Sequence, residues 1–469
     1  MARAIHDFVP SSYQRPHLRN GQKERLAMKR IMFTAVSFAL AMGVSSCGGE
    51  GEPGGALAMA STKAAPVLTD MEELGKSIFF DENLSINRNQ SCATCHGPEV
   101  GWTGPLSGIN AAGAVYEGSI LGRFGDRKPP SAAYATLSPI FYQDKQGLFI
   151  GGNFWDGRAT GEKLGNPAAD QAQGPFLNPV EQALRDSACV VDRVCNAVVP
   201  DDYPVSFEQV WGAGTCSISW PKDIHILCEE EGTQLDLSDD DRVKSNMAYD
   251  NIALSIAAYE DSPEVNAFTS KYDLTFAGKV KLTKEEQRGF ALFRGKGQCH
   301  RCHTSNGKQA LFTDFTFDNL GVPQNPENPA GVAPDFVDAG LGGFLKNAGY
   351  DEDVYEAEWG KQKVPTLRNV GKGSCEAEPE NPDCIVKAYA HNGYFKSLEG
   401  IVHFYNTRDV KPECPALYTE AEALAAGCWP APEVAENVNT DELGDLGLTP
   451  EEEAAIVAFL KTLSDGYVP

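Results

Sequence analysis

The chain has 469 residues, of which 42% are hydrophobic and 9% aromatic. That is enough for a large buried core, and the length favours two domains over one. The formal net charge of −25 at pH 7 argues against binding to nucleic acid, because phosphates need a positive surface. The acidity would suit a cationic protein partner, or it simply keeps the protein soluble.

The N-terminus predicts an export signal that is separate from the fold. Met28-Lys29-Arg30 precedes an apolar run over 31–44, and Ser45-Ser46-Cys47 follows it. The run is too short to span a bilayer as a stable helix, and Val-Ser-Ser-Cys resembles a bacterial lipoprotein cleavage site. We therefore expect residues 1–46 to be an N-terminal extension with a lipoprotein signal peptide, and Cys47 to carry a lipid anchor. Residues 47–66, rich in Gly, Ala and Ser, should form a flexible tether.

A first domain is predicted over residues 67–262, where a helix start precedes a cysteine motif. In Thr69-Asp70-Met71-Glu72 the threonine and the glutamate can satisfy free backbone N–H groups at the start of a helix. That helix runs into Phe79-Phe80, shortly before Cys92-Ala93-Thr94-Cys95-His96.

A second domain, residues 263–469, repeats this order. Thr283-Lys284-Glu285-Glu286 is again a capping box, and its helix contains Phe290 and Phe293 ahead of Cys299-His300-Arg301-Cys302-His303. The same unit is thus used twice.

Both cysteine motifs have the C-x-x-C-H spacing of a c-type haem attachment site. Two thiols can reach the two vinyl groups on one porphyrin edge, while the adjacent histidine binds the iron. A zinc knuckle or a thioredoxin-like dithiol could explain one such motif, but two of them in an exported chain favour two covalently bound haem c groups. The attachment residues would be Cys92 and Cys95 with His96, and Cys299 and Cys302 with His303.

A third helix start, Thr449-Pro450-Glu451-Glu452, predicts a C-terminal helix that closes the second core. Its apolar residues Ile456, Phe459, Leu460 and Leu463 fall on one face. No alternating run of useful length predicts a competing strand. The predicted fold class is therefore mainly α, with two cytochrome c-like haem domains and long loops.

The remaining cysteines predict disulfides. Of thirteen cysteines, eight remain after Cys47 and the two haem pairs are set aside, and an even number in an exported protein suggests pairing. Sequence cannot prove the connectivity, but pairing close neighbours gives Cys189–Cys195, Cys216–Cys228, Cys375–Cys384 and Cys414–Cys428.

With these motifs the chain resembles the bacterial di-haem cytochrome c peroxidases and their MauG relatives. The resemblance runs from about Leu74 to the C-terminus. Its markers are Leu74-Gly75-Lys76-Ser77-Ile78-Phe79-Phe80-Asp81, Phe154-Trp155-Asp156-Gly157-Arg158, Gln171 with Gly174-Pro175 and Glu181, Pro365-Thr366-Leu367-Arg368-Asn369-Val370, and His391-Asn392-Gly393.

The resemblance implies that one haem accepts electrons and the other binds peroxide, with a tryptophan between them. Trp155 matches that tryptophan, although an ordinary core aromatic is the alternative. The peroxide-binding haem would be the first, with His96 as its proximal ligand, since catalysis needs an iron with a free sixth position. Glu181 resembles the distal carboxylate that moves a proton between the peroxide oxygens, although a lone glutamate in a loop is more often a solvated surface group. Gln171 and Pro175 match positions that line the same pocket.

The second haem poses the question of its sixth ligand. Typical members use a downstream methionine, but none follows Met247 here, and Tyr405 holds the matching position. Leu398, Ile401, Val402 and Tyr405 share one helical face, and His403 points away from it. A tyrosine ligand is the MauG-like arrangement and should lower the potential of the iron. The alternatives are a packed tyrosine with the iron left open, or bound by His391 or His403.

Two departures limit the resemblance. No histidine lies between His96 and His225, so a distal histidine is missing and Glu181 is the acid–base candidate. The family also holds a calcium ion through an asparagine and backbone carbonyls, but the matching positions are Tyr134, Val386 and Ala388. Loss of the side-chain ligand weakens such a site.

Three functions follow as hypotheses. The first is reduction of hydrogen peroxide with electrons from a small periplasmic cytochrome c or cupredoxin. The second is MauG-like oxidation of a partner protein or organic molecule through a high-valent di-haem state, which Tyr405 favours. The third is a non-enzymatic electron carrier with two haems. All three place the protein in the periplasm, and the family often forms homodimers.

Overall fold

The computed structural model describes residues 66–197, 203–329 and 336–469. The predicted extension and signal peptide (1–46), the lipid anchor at Cys47 and nearly all of the tether (47–66) lie outside the described residues. Within the described ranges, no helix is both long and apolar enough to cross a membrane.

Helices joined by long loops form most of the regular structure, which confirms the predicted mainly α class. The α-helices are α1 (Asp70–Phe79), α2 (Cys92–Cys95), α3 (Ser107–Ala111), α4 (Pro167–Ala172), α5 (Gly174–Leu177), α6 (Ser187–Cys195), α7 (Tyr203–Trp211), α8 (Ile224–Leu227), α9 (Asp239–Asp261), α10 (Lys271–Phe276), α11 (Lys284–Arg294), α12 (Gly340–Asn347), α13 (Glu352–Ala357), α14 (Leu398–Thr407), α15 (Glu420–Ala426) and α16 (Pro450–Lys461). Short 3-10 helices span Glu82–Leu84, Pro98–Val100, Ala135–Leu137 and Cys299–Arg301.

Strands are confined to two short antiparallel pairs in the described residues. β1 (Tyr142–Gln143) pairs with β2 (Phe149–Ile150), and β3 (Phe317–Asp318) pairs with β4 (Gln362–Lys363).

The three predicted capping boxes start α1, α11 and α16. At α1, Glu72 N donates to Thr69 Oγ1 at 3.3 Å and Thr69 N donates to Glu72 Oε2 at 2.6 Å. Such a cap stabilises a helix by about 1 kcal/mol.

The duplication is visible in how two helix pairs cross. α1 packs on α9 at Gly75, where an added Cβ would collide with the carbonyl oxygen of Ser255. α11 packs on α16 at Gly289, where a Cβ would collide with the carbonyl oxygen of Ala455. Each glycine lies six residues after the capping threonine, so the same close approach is built twice.

Buried apolar side chains form two large clusters, one between Leu68 and Val265 and one between Tyr272 and Leu463. The apolar face of α16 belongs to the second, as predicted, with Ile456 and Phe459 fully buried. A smaller cluster joins Phe141 and Phe149 to Phe317 and Leu341. The division of the chain at residue 262 stays a prediction.

Two of the four predicted disulfides are wrong. Cys375–Cys384 and Cys414–Cys428 form as predicted, but the other cysteines pair as Cys189–Cys228 and Cys195–Cys216. Cys189 and Cys195 lie on α6, and six residues of helix separate their Cα atoms by about 9 Å along the axis. A disulfide requires Cα atoms no more than about 7 Å apart, so these two neighbours on one helix cannot pair.

Candidate active site

Both C-x-x-C-H motifs open into one continuous cavity. Cys92 and Cys95 form the short helix α2, while Cys299 and Cys302 lie at the 3-10 helix over Cys299–Arg301. Within the described ranges, these four are the cysteines left outside disulfides. Their thiols and the following histidines line the same cavity, as the attachment of two haems requires.

The two histidines are held in the same way. His96 Nδ1 lies 3.1 Å from the carbonyl oxygen of Trp102, and His303 Nδ1 lies 2.8 Å from that of Phe312. Donation from Nδ1 to a carbonyl fixes the tautomer and leaves Nε2 with a free lone pair. Trp102 and Phe312 both have a positive φ, of 63° and 54°. The same left-handed turn thus presents the carbonyl in each half.

Burial also prepares these rings to bind iron. Desolvation lowers the pKa of His96 to about 4 and lowers the pKa of His303. A neutral imidazole is the form that ligates a metal. Paired thiols, neutral histidines and a shared apolar cavity therefore fit two haem c groups.

Trp155 lies in the wall of this cavity and is 8% exposed. Its Nε1 donates to the carbonyl oxygen of Lys128 at 2.8 Å, and its ring centroid lies 6.5 Å from that of His391. The surrounding loop is folded on itself, since the guanidinium of Arg158 lies 3.7 Å from the Phe154 ring centroid and 2.8 Å from Asp156. Several contacts therefore fix the indole in one orientation.

Glu181, Gln171 and Pro175 are brought together in the wall near the first motif. Gln171 lies on α4, Pro175 lies on α5, and the Glu181 N–H donates to Asn178 O at 3.0 Å in the turn that follows. Burial is the largest influence on the Glu181 carboxyl and raises its pKa, although Arg158 and Asn178 oppose the shift. The carboxyl is thus poised to hold a proton more readily than a surface glutamate does.

Tyr405 projects from α14 into the cavity beside the second motif. All four residues of the predicted face line the cavity: Leu398, Ile401, Val402 and Tyr405. Burial raises the pKa of Tyr405 above its usual range, and nearby Cys299 and Cys302 add to this. Among the described residues its hydroxyl has no hydrogen-bond partner, so the oxygen can face a ligand or metal.

The two alternative histidines are engaged elsewhere. His403 lies outside the cavity lining, and its Nδ1 lies 3.0 Å from Glu453 Oε1. His391 does line the cavity, but its Nε2 lies 3.3 Å from Glu433 Oε2. Of the three, Tyr405 alone both lines the cavity and has a side chain without a hydrogen-bond partner among the described residues.

The positions matched to a calcium site do not fit that ion. Tyr134 donates its hydroxyl to Asp465 Oδ2 at 2.6 Å and its N–H to Asn266 Oδ1 at 2.6 Å. The carbonyl oxygen of Val386 accepts from Asn110 Nδ2 at 3.0 Å. The Tyr134 hydroxyl and the Val386 carbonyl, two of the three matched positions, therefore already serve as ordinary hydrogen-bonding groups.

Sequence reasoning missed several buried or half-buried charged groups in this wall. Lys128, Lys363, Lys387 and Glu260 all line the cavity, and burial raises the pKa of Glu260 to about 8. Lysine and glutamate are normally exposed, and no local signal in the sequence marked these four. The pairing of Arg127 with both Asp156 and Asp338, at 2.7 and 2.6 Å, also escaped notice.

Comparison with known proteins agrees with this geometry. The family model described as "Di-haem cytochrome c peroxidase" matches residues 69–281. The chain is 34% identical over 412 residues to the methylamine utilization protein MauG of Paracoccus denitrificans, covering 86% of this chain and 90% of that protein. It is 27% identical over 416 residues to the cytochrome-c peroxidase IdrP1 of Denitromonas iodatirespirans, covering 85% and 82%.

A solved structure matches over a similar span. The crystal structure of the diheme peroxidase BthA from Burkholderia thailandensis superposes with a TM-score of 0.65 at 26% sequence identity, covering 84% of this chain and 86% of that chain. The chain therefore belongs to the di-haem cytochrome c peroxidase family, which implies two c-type haems and an oxidoreductase that acts on peroxide.

Proposed function

We propose that this protein reduces hydrogen peroxide to water in the periplasm, with electrons from a small cytochrome c or cupredoxin. The balanced reaction consumes one peroxide, two electrons and two protons and yields two waters. The observation that carries the proposal is the shared cavity, in which a carboxyl with a raised pKa lies on the side of the first motif and Trp155 lies in the wall.

The first site would bind the peroxide. Cys92 and Cys95 would attach the haem and His96 would ligate its iron through Nε2, because Nδ1 is occupied by the Trp102 carbonyl. When bound, the haem supplies the iron at which peroxide is reduced. Gln171 and Pro175 would shape the space above it.

Glu181 would transfer a proton between the two oxygens of the peroxide. Its carboxylate would accept the proton from the near oxygen of the peroxide and donate it to the far oxygen, so that water leaves instead of hydroxide. Burial supports this role, because the raised pKa lets the carboxyl hold the proton between the two transfers. The charge of Arg158 opposes this shift.

The second site would receive electrons. Cys299 and Cys302 would attach this haem, and His303 and Tyr405 would be the ligands of its iron. A phenolate oxygen favours the ferric state and lowers the reduction potential relative to a thioether. Trp155 would carry electrons between the sites, since its indole is fixed by Lys128 in the wall common to both.

MauG-like oxidation of a partner protein or organic molecule is the second candidate. The placement of Tyr405 in the cavity favours it, as does the 34% identity to a MauG protein. The same residues would serve both functions, with the electrons for peroxide reduction coming from an organic substrate instead of a cytochrome.

The setting of the protein is part of the same proposal. Cys47 would anchor the chain to a bacterial membrane through lipid, and two chains could associate as a homodimer. Calcium is left out of the proposed cofactor set, because the oxygens of Tyr134 and Val386, two of the three positions matched to its ligands, already form other hydrogen bonds.

Steady-state and spectroscopic measurements on the di-haem protein test the proposal. Rapid peroxide-dependent oxidation of reduced cytochrome c or cupredoxin is expected. Slow turnover with a long-lived oxidised state would instead support the MauG-like function. Electron paramagnetic resonance should show a high-spin ferric signal from the first haem, whereas two six-coordinate low-spin haems would indicate an electron carrier.

A further inference from the structure

Two buried lysines lie in the cavity wall without a carboxylate partner. Lys128 and Lys387 are 8% and 4% exposed, and neither forms an ion pair within the described ranges. An isolated buried ammonium is costly, and the two groups also oppose each other, since Lys128 lowers the pKa of Lys387. Packing alone therefore does not explain why two lysines are buried here.

Both ammonium groups are held by uncharged oxygens. Lys128 Nζ donates to Thr103 Oγ1 at 2.8 Å and to Pro129 O at 2.9 Å. Lys387 Nζ donates to Asn369 O at 2.8 Å and to Lys372 O at 3.0 Å. Backbone carbonyls and hydroxyls of this kind are also the ligands that hard metal cations take. Each ammonium group is thus held by oxygens of the kind that could otherwise ligate a cation.

Lys128 also connects the parts of the site that must keep a fixed relation. Its carbonyl oxygen accepts from Trp155 Nε1, and its N–H donates to His391 O at 2.7 Å. Its side chain holds Thr103, the residue that follows the carbonyl partner of His96. One residue therefore links the first haem loop, the tryptophan and the loop of the second half.

Lys387 occupies the stretch that was matched to calcium ligands, because it lies between Val386 and Ala388. Its ammonium group and that of Lys128 would repel a divalent cation in the same wall. We propose that the ammonium groups of Lys128 and Lys387 take the place of a bound divalent cation between the two haem sites.

The charge of the bound haems supports this arrangement. Burial alone lowers the pKa of Lys128 to about 7, but each haem c would add two propionate carboxylates when bound. Nearby negative charge favours the ammonium form. The inference rests on two haems being bound, and it holds for either peroxide reduction or oxidation of an organic substrate.

Metal analysis of the wild-type di-haem protein is the first test. After dialysis against calcium chloride and then buffer, we expect no stoichiometric calcium by atomic emission. Excess EGTA should leave the electron paramagnetic resonance spectrum and both reduction potentials unchanged. One calcium per chain, or a spectrum that changes with EGTA, would overturn the proposal.

Reduction potentials of variants are the second test. Lys128→Met should shift the ferric–ferrous equilibrium of at least one haem toward ferric by about tenfold, which corresponds to about 59 mV. Lys128→Arg keeps the charge and should shift it much less, and Lys145→Met, on an exposed turn, should have no effect. Equal potentials in wild type and Lys128→Met would refute the electrostatic role. If Lys128→Met fails to fold, Lys128→Arg still tests the role, because it keeps the charge. A shift of about 59 mV in the reduction potential of Lys128→Arg would also refute the electrostatic role.

Neither measurement uses peroxide turnover. If the protein proved not to be a peroxidase, the metal analysis and the reduction potentials would still test the lysine proposal. If the lysine proposal failed, the activity assay would still test the proposed function.

Discussion

Replacing Glu181 by glutamine tests the central chemical step. Glutamine keeps the shape of the side chain but can neither accept nor release the proton of the peroxide. The variant should bind both haems with nearly unchanged spectra, because Glu181 contacts neither cysteine pair through a hydrogen bond among the described residues. The loss of the carboxyl group should change only the rate of peroxide-driven oxidation.

The size of the loss follows from what surrounds the carboxyl. Asn178 cannot carry a proton. Asp126 also influences the Glu181 carboxyl, but it or a water molecule can replace only part of the function. General acid–base help is worth 10²- to 10⁴-fold. We expect the lower end, about 10²-fold, or about 2.7 kcal/mol of barrier.

Stopped-flow absorbance after mixing with hydrogen peroxide measures this rate directly. Glu162→Gln is the matched control, because it removes the same charge from an exposed residue of the same half and should react like wild type. The wild-type rate should rise with pH as Glu181 loses its proton. Because burial raises the pKa of Glu181, this rise should lie above the pH at which an ordinary glutamate titrates.

In Glu181→Gln the same pH dependence should be absent. Peroxide-driven oxidation at the wild-type rate in Glu181→Gln would remove this carboxyl from the mechanism. A rate lowered equally in Glu162→Gln would show that net charge, and not proton transfer, is responsible.

Three further substitutions test other parts of the structure. Tyr405→Phe should change the low-spin signal of the second haem in electron paramagnetic resonance and raise its potential, and an unchanged spectrum would mean that another group is the ligand. Replacing Cys195 and Cys216 together by serine opens a disulfide that spans 21 residues and should lower the free energy of unfolding by about 3 kcal/mol, with peptide mapping of the wild type checking the pairing. Asp338→Asn leaves Arg127 with one carboxylate and should cost about 3 kcal/mol in denaturant unfolding. Arg127 holds the pKa of Asp338 well below its usual range, so this stability is present above the unfolded pKa and lost as pH falls through the folded one.

Features that depend only on neighbouring residues, such as helix starts, could be predicted from the sequence. A threonine and a glutamate three residues apart can cap a helix wherever they occur, so the starts of α1, α11 and α16 were readable. The C-x-x-C-H motifs were readable because covalent attachment fixes their spacing. Helical periodicity predicted that four residues of α14 share one face, while the resemblance implied that this face lies at the second haem.

Contacts between distant segments were not readable in this way. The partner of His96 is six residues away, whereas that of His303 is nine residues away, so no common spacing marks the two carbonyls. The pairing of Cys189 with Cys228 depends on where the 203–228 segment packs against α6. The burial of Lys128 and Lys387 likewise depends on loops that meet only in the fold.

The duplicated scaffold carries two unlike sites. In both halves a capped helix crosses a second helix at a glycine, and a carbonyl from a left-handed residue holds the histidine. These shared features fix where each iron would lie. The walls then differ, because the first site has a carboxyl with a raised pKa, whereas the second has a tyrosine on an apolar helix face. On the proposed function, a proton carrier suits a site where bonds to oxygen are broken, and a permanent oxygen ligand suits one that only exchanges electrons. The difference in chemistry between the two sites therefore arises from the loops and from α14, while the scaffold that holds them is the same.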